Sequence, residues 1–161
     1  MGKKEKVLEE KEELIAKVKC DDVGPMLEYV GCKVEHNVEE QWLRLMQPVL
    51  IQSLKDELGV SGDSCPNTPA VAGASLQASM PGDEKVGPEK HSWYRSAVGK
   101  LLHAMRWSRG DLQNAVREVS RYMSGPDEKH CHAVQRLMDF VVCTPNRGNL
   151  LKPKGECDGK E

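Results

Sequence analysis

The chain has 161 residues, of which 39% are hydrophobic and only 4% aromatic, and its formal net charge at pH 7 is −2. This length fits one ordinary domain with a modest core, and the charge gives no global attraction to nucleic acid. No run of about 18 apolar residues predicts a membrane span, and the Lys/Glu-rich N-terminus lacks the apolar segment of a secretory signal. We therefore expect an intracellular protein, cytoplasmic or nuclear, with no membrane partner.

Residues 3–19 predict a charged amphipathic helix, because an apolar stripe recurs at helical spacing among lysines and glutamates. A more specific interpretation is a helix that pairs with another helix in a coiled coil, but the stripe spans too few heptads for that. The pair Asp21-Asp22 follows, and paired carboxylates suit two-metal chemistry. No strand pattern flanks this pair, so we predict a helix-ending turn and not a catalytic site. The stripe consists of Val7, Leu8, Leu14, Ile15 and Val18.

A β-hairpin is predicted next, from residues 27–35 and 42–47. Residues 29–35 alternate with period 2, which is typical of a strand. The polar residues 36–40 favour a turn between the two strands. Trp42 then has two open interpretations, a packed core residue or an exposed contact residue.

A helix is predicted from Pro48 to Leu58, with Gly59 as its C-terminal stop. Residues 60–90 change character, with four prolines, four glycines and little periodicity. This composition predicts either a linker or a long ordered loop.

Three amphipathic helical patterns with short connections fill residues 93–142 and predict a three-helix bundle. Ser108 with Asp111 predicts a capping box before the second helix. Pro126 predicts the first turn of the third helix. The stripes are Tyr94, Ala97, Val98, Leu101, Leu102 and Met105; Leu112, Ala115, Val116, Val119 and Met123; and Ala133, Val134, Leu137, Phe140 and Val141.

Basic residues are concentrated in residues 91–123. This segment contains six arginines and lysines but only two acidic residues, Asp111 and Glu118. Such a cluster suits phosphate binding and would make affinity fall with salt. A solvated helix face is the alternative. The six basic residues are Arg95, Lys100, Arg106, Arg109, Arg117 and Arg121.

The six cysteines include no Cys-x-x-Cys pair, and without a secretory signal we expect them to be reduced. The triplet His130-Cys131-His132 suggests a metal site at first sight. Residues i and i+2 do not share a helix face, so we predict one surface and one partly buried histidine.

These motifs resemble the pol polyprotein of copia-type LTR retrotransposons, in the part after the reverse-transcriptase palm and before ribonuclease H. One departure is Gly110, where the family usually has Pro, and this implies either a looser second helix or a decaying copy of the element. The matching residues are Tyr94-Arg95, Val98-Gly99, Leu101, Arg109, Asp111, Ala115-Val116, Ser120-Arg121-Tyr122-Met123, Pro126, His130, Ala133 and Arg136.

The resemblance implies an α+β fragment: an amphipathic helix, a β-hairpin, one helix, a long Pro/Gly-rich loop and a three-helix bundle. Its expected parts are the end of the palm with a primer-grip-like hairpin (residues 1–59), a linker or loop (60–90), a thumb-like bundle (91–143) and a lead into an absent ribonuclease H domain (144–161).

The resemblance also implies a contribution to primer–template binding by a reverse transcriptase, an RNA-directed DNA polymerase. The implied partners are an RNA–DNA or DNA primer–template and the remainder of the pol polyprotein. The implied contact residues are Tyr29, Gly31 and Trp42 of the hairpin and the six basic residues of residues 91–123.

The parent enzyme would use Mg²⁺, but this chain lacks the metal-binding Asp pair. We therefore expect no cofactor and no catalysis from it alone. The alternative function is a domesticated helical module that binds protein or nucleic acid without chemistry.

Overall fold

The computed structural model describes residues 4–73, 75–79 and 85–153, which form an α+β fold as predicted. Along the chain, one helix is followed by three strands, then by four helices and then by a last strand. The four strands form one antiparallel sheet, and the last four helices form a bundle. The helices are α1 (Lys4–Lys17), α2 (Pro48–Leu58), α3 (Pro88–Trp107), α4 (Gln113–Ser120) and α5 (Glu128–Cys143), and the strands are β1 (Glu28–Tyr29), β2 (Cys32–Asn37), β3 (Trp42–Met46) and β4 (Asn149–Leu151).

The bundle core is built from the predicted stripes of α3, α4 and α5. Tyr94 is fully buried in it, and its hydroxyl donates to the Val119 carbonyl oxygen at 2.7 Å. Helix α2 joins the same core through Ile51 and Leu54, because its stripe needs an apolar surface to cover it. The predicted three-helix bundle is therefore extended by a fourth helix. Helix α3 also begins earlier than predicted, at Pro88.

The predicted single strand over residues 27–35 is wrong, because the chain turns at Val30-Gly31 and forms β1 and β2. Both turn residues have positive φ, 50° at Val30 and 72° at Gly31. Positive φ at both central residues is the geometry of a tight I′ hairpin turn. A β-branched residue such as Val30 rarely adopts positive φ. Val30 also fits the period-2 pattern of a strand, so sequence reasoning missed the turn.

Strand β4 was not predicted, and it pairs with the edge of β3, with Leu45 opposite Asn149. Gly148 permits this approach. A Cβ built on Gly148 would lie 2.2 Å from the carbonyl oxygen of Leu45. The sheet therefore joins the hairpin strands of residues 28–46 to residues 149–151 near the C-terminal end of the described chain.

The end of α2 follows the prediction. Gly59 adopts the left-handed conformation at φ 68°, and its N–H bonds to the carbonyl oxygens of Leu54 and Lys55. The predicted capping box of Ser108 and Asp111 is wrong. The Ser108 hydroxyl donates to Gln47 Oε1 at 2.7 Å instead. A 3₁₀ turn over Gly110–Leu112 then leads into α4.

Helix α5 begins with a capping box that the sequence analysis did not identify. The side chain of Asp127 accepts from the His130 backbone N–H, while His130 Nδ1 accepts from the Asp127 backbone N–H. Pro126 lies before this cap and not in the first helical turn. The stacked ring of Tyr122, 4.0 Å away between centroids, completes the enclosure of the buried His130.

The segment between α2 and α3 is a long ordered loop in its described part, residues 60–73, 75–79 and 85–87. A disulfide joins Cys65 to Cys143 at the end of α5. The expectation that all cysteines are reduced is therefore wrong for this pair. Their separation of 78 residues left no local sequence signal.

Helix α1 forms where it was predicted, but its apolar stripe lies on the surface. Lys11 pairs with Asp22, which ties the helix to the turn after it. The stripe residues remain between 39% and 57% exposed. No helix in the described part of the chain has the length and apolar character needed to cross a membrane.

Candidate nucleic-acid interface

Tyr29 and Arg106, both predicted contact residues, each lie next to Trp107 at the C-terminal end of α3. The Tyr29 and Trp107 ring centroids lie 6.0 Å apart in an edge-to-face arrangement. The Arg106 guanidinium carbon lies 5.8 Å from the Trp107 ring centroid. Tyr29 and Arg106 are exposed, so this cluster offers aromatic surface and positive charge to solvent.

The turn residue Gly31 lines a cavity of about 290 Å³ between the hairpin, α2 and α3. His103 and Ser53 lie in its wall. Lys100 reaches Ser53 Oγ at 2.9 Å and Glu57 at 3.1 Å. Lys100 is therefore near the hairpin but already has a carboxylate partner.

Arg95 on α3 and Arg117 on α4 are exposed, and neither makes an ion pair with any described residue. Arg95 and Arg106 lie on one helix, about 16 Å apart along its axis. Arg121 is exposed but pairs with Glu118 at 3.5 Å. Among the six predicted basic residues, the freest cations are therefore on α3 and α4.

Arg109 does not belong to this surface. Its side chain is 2% exposed and its guanidinium binds Asp111 through two hydrogen bonds of 2.9 Å. It also donates to the carbonyl and hydroxyl oxygens of Thr144. The prediction that Arg109 contacts nucleic acid is contradicted by this burial, because the guanidinium is already used inside the protein.

The charge on Arg109 also fixes the ionisation of its partner. Burial alone would raise the pKa of Asp111, but the hydrogen bonds from Arg109 outweigh burial, and the pKa lies below its ordinary value of 3.8. Arg147 adds a weaker attraction at 3.6 Å. Asp111 is therefore held as a carboxylate.

Trp42 lies away from the Tyr29 cluster. By the register of β1, β2 and β3, Tyr29 shares a sheet face with Cys32, whereas Trp42 shares the other face with Asn37. Trp42 is half-buried, and its Nε1 donates to Glu40 at 2.8 Å. It lines a separate open cavity of about 600 Å³, so it is neither a core residue nor a neighbour of Tyr29.

The Asp21-Asp22 pair lies in an irregular segment and not at the tip of a strand hairpin. Asp22 is bound by Lys11 and accepts from the Gly24 N–H. These carboxylates do not fit the two-metal site of a polymerase. In the ranges that the structure describes, no three His, Cys, Asp or Glu side chains gather to hold a metal ion.

The triplet at residues 130–132 is also structural. His130 is fully buried, and its Nε2 lies 3.0 Å from the Gln77 carbonyl oxygen. Cys131 is buried, and burial raises its thiol pKa. His132 is exposed. The expected surface histidine is present, but the expected partly buried one is fully enclosed.

Sequence reasoning missed Trp107, which links Tyr29 to Arg106. It lies two residues after Met105, the last residue of the predicted α3 stripe, so it was not part of the periodic signal. An aromatic residue next to an exposed arginine at the end of a helix was the available clue.

Three curated proteins resemble this chain. The retrovirus-related Pol polyprotein from transposon TNT 1-94 of Nicotiana tabacum is 29% identical over 138 residues, covering 80% of this chain and 10% of that protein. Those from transposons RE1 and RE2 of Arabidopsis thaliana are each 37% identical over 59 residues, covering 37% of this chain and 4% of theirs.

The chain is homologous to retrovirus-related Pol polyproteins of plant transposons. The resemblance to copia-type pol polyproteins is thereby confirmed. The chain spans about a tenth of the tobacco Pol polyprotein and less of the two Arabidopsis Pol polyproteins. No protein-family model matches the sequence, and no solved structure matches the chain.

Proposed function

We propose that this Pol-related chain contributes primer–template binding to a retrotransposon reverse transcriptase. The observation that carries the proposal is the Tyr29–Trp107–Arg106 cluster, which joins the predicted hairpin to the predicted basic helix. Arg95 and Arg117 add exposed cations without ion-pair partners among the described residues. The proposed interface consists of Tyr29, Arg95, Arg106, Trp107 and Arg117.

Charge and aromatic surface have separate roles in this interface. Arginines neutralise backbone phosphates and release counterions, which makes binding strong at low salt. The small exposed residues Ser96 and Gly99 lie between Arg95 and Arg106 on α3. They let a sugar–phosphate backbone approach the helix closely between the two cations. Tyr29 and Trp107 offer a surface against which a base or sugar can pack.

The proposed role is binding and not catalysis. Nucleotide addition by a polymerase needs carboxylates that hold two metal ions, and in the Asp21-Asp22 pair the carboxylate of Asp22 is already bound by Lys11 and by the Gly24 N–H. We expect no primer extension by the purified chain with Mg²⁺ and deoxynucleotides. Extension above a buffer control would contradict this part of the proposal.

The binding proposal is tested with a fluorescent RNA–DNA hybrid and anisotropy titrations at 50 and 200 mM salt. For Arg95→Ala with Arg106→Ala we expect at least a tenfold weaker complex at about 50 mM salt and a salt slope smaller by about 2. The matched control is Lys19→Ala with Lys55→Ala, which removes the same charge from exposed positions outside the interface. Equal affinities for the two double variants would contradict the proposal.

The alternative is an autonomous interaction module without chemistry. The continuous core shared by α2, α3, α4 and α5 favours it, because such a core supports independent folding. The exposed stripe of α1 favours the Pol interpretation, in which the chain is one part of a larger Pol polyprotein. That stripe lacks a covering surface within the described residues, and another part of the polyprotein would cover it. A sharp two-state melt without binding of an apolar dye supports the module, and a broad melt with strong dye binding supports the Pol interpretation.

A further inference from the structure

The apolar stripe of α1 lies in an N-terminal arm, residues 5–27, that contributes nothing to the core of the protein. None of the residues in this arm is buried. Of the fifteen large apolar residues that are exposed in the described part of the chain, eight lie in this arm, and five of those eight form the α1 stripe. Such a concentration of exposed apolar side chains marks a surface that another molecule covers.

The charges of α1 disfavour two kinds of occupant for this surface. The helix carries four lysines and five glutamates. A helix that binds a membrane surface is rich in lysine and arginine, because it is attracted to anionic lipids. A nucleic-acid backbone requires a similar excess of cations. The nearly neutral α1 has no such excess, so we infer that a protein surface covers its stripe.

A single lysine side chain lies within the stripe. By helical spacing, Lys11 is on the same face as Leu8 and Ile15. Its Nζ binds the carboxylate of Asp22. The hydrogen bond from Lys11 holds the pKa of Asp22 below its ordinary value, so Asp22 is a carboxylate at neutral pH. The Lys11 charge is therefore balanced within the chain, and the surface that covers the stripe does not have to supply a counter-charge.

The two edges of the stripe differ in charge. Glu5 and Glu12 lie along one edge, and neither makes an ion pair with a described residue. Lys6 and Lys17 lie along the other edge, where each pairs with a glutamate of the same helix. Two parallel helices that face each other across a two-fold axis bring unlike edges together, whereas two antiparallel helices bring like edges together. Charges at such edges set the orientation of paired helices.

A second copy of α1 fits this pattern in one orientation. In a parallel pair, the unpaired glutamates of each copy lie beside the lysine-bearing edge of the other copy. In an antiparallel pair, Glu5 and Glu12 of one copy would face the same two glutamates of the other copy, and like charges repel. The edges of the stripe are therefore complementary to those of a second, parallel α1.

We propose that the α1 stripe pairs with the α1 stripe of a second copy of this chain, with the two helices parallel. The stripe is too short for an extended coiled coil, but it is broad. It spans about 120° of the helix surface, from Leu14 to Leu8. The pairing does not depend on the proposed nucleic-acid interface. The remainder of the Pol polyprotein is the competing occupant.

The first test is sedimentation equilibrium of the full chain at loading concentrations from about 5 to about 500 µM. We expect a reversible equilibrium between monomer and dimer, with the dimer dominant at the highest concentration. A monomer mass at every concentration would overturn the proposal and would leave the stripe to the remainder of the polyprotein. A trimer or a larger assembly would also overturn it.

Two double variants locate the contact. Leu14→Gln with Ile15→Gln is expected to weaken the dimer at least tenfold. The matched control, Val49→Gln with Leu151→Gln, changes two exposed apolar residues outside the arm and should leave the dimer unchanged. Equal dimer dissociation constants for the two double variants would overturn the proposal. Urea unfolding of both variants checks that they fold, which we expect because α1 buries no side chain in the core.

Cys20 reports the orientation of the two helices. It is exposed, free of any disulfide, and three residues beyond the end of α1. In a parallel dimer the two Cys20 thiols lie close enough to form a disulfide on mild oxidation with diamide. In an antiparallel dimer they would lie roughly 24 Å apart. We expect a covalent dimer, with the bond located at Cys20 by peptide mass analysis.

The same oxidation provides the control for accidental encounters. The yield of the covalent dimer should be at least tenfold lower in Leu14→Gln with Ile15→Gln than in the unaltered chain. An unaltered chain that dimerises in solution but forms no bond at Cys20 would overturn the parallel pairing. If the double variant fails to fold, the Cys20 bond in the unaltered chain decides between the two orientations.

Discussion

Arg109 and Asp111 face each other through two hydrogen bonds of 2.9 Å, although a single residue separates them in the chain. The same guanidinium lies 5.4 Å from the Phe140 ring centroid and donates to Thr144 at the end of α5. One buried cation therefore fixes the start of α4 against the end of α5. The Arg and Asp that identify the family motif thus have a structural role here.

Asp111→Asn is expected to lower the free energy of unfolding by about 3 kcal/mol, because it leaves the Arg109 charge buried without its carboxylate. The measurement is urea unfolding at pH 7. The matched control is Asp56→Asn, where the exposed carboxylate accepts a hydrogen bond from Gln52 at 2.9 Å and makes no ion pair within the described residues. A loss no larger than that of the control would show that Thr144 and Phe140 suffice to hold Arg109.

The same pair predicts an acid-dependent stability. The pKa of Asp111 is lower in the folded chain than its ordinary 3.8, so its contribution is present above about pH 4 and is lost as the pH falls through the folded pKa. We expect the unfolding free energy to decline as the pH falls below about 4, and to decline less steeply in Asp111→Asn. Parallel curves for the two proteins would contradict this prediction.

Gly148→Ala is expected to destabilise the chain by about 1–3 kcal/mol, because a Cβ there would lie 2.2 Å from the Leu45 carbonyl oxygen. Gly99→Ala is the control: its Cβ would meet nothing within 4 Å, and replacing a mid-helix glycine raises stability by about 0.5–1 kcal/mol. Thermal unfolding of both variants measures the contrast. Equal melting temperatures would contradict the close approach of β4 and β3.

Val30→Asn is expected to stabilise the chain by roughly 1 kcal/mol, because Asn tolerates the positive φ that Val30 adopts with strain. The control Val38→Asn changes another exposed valine in the polar turn between β2 and β3 and should alter stability by less than about 0.5 kcal/mol. Urea unfolding measures both. A destabilised Val30→Asn would argue against the I′ turn.

Reduction of the Cys65–Cys143 bond is expected to cost about 2–4 kcal/mol, because the bond closes a long loop in the unfolded chain. A reductant should lower the melting temperature of the unaltered chain and of Cys20→Ser, which replaces an exposed free cysteine. It should not lower that of Cys65→Ser. Intact mass after thiol alkylation without reductant provides the direct check, and six modified cysteines would contradict the bond.

Helices α2, α3, α4 and α5 were predictable because each carries an apolar stripe that the fold buries, whereas the stripe of α1 formed its helix but stays exposed. The α3 stripe, for example, supplies Tyr94, Ala97, Val98 and Leu101 to the core. The role of α2 in that core was not predictable, since its stripe indicates a buried face but not the helix that covers it.

The features that sequence reasoning missed depend on contacts between distant segments or on unusual local choices. The β1–β2 turn has valine where asparagine is usual, and the α5 capping box has histidine where glutamate is usual. The disulfide and the strand β4 join residues far apart in the sequence. For the interface, the sequence indicated Tyr29 and Arg106, but not Trp107 between them, and it gave no sign that Arg109 is buried.

The pairing of β3 with β4 has a consequence for the order of folding. Leu45 and Asn149 are roughly 100 residues apart, so their ladder closes a long loop and is entropically slower to form than the helix contacts between α3, α4 and α5. We expect the bundle to assemble first, while β3 remains an open sheet edge. During that interval the β3 edge is the segment most available for pairing between chains, so aggregation during refolding should start there.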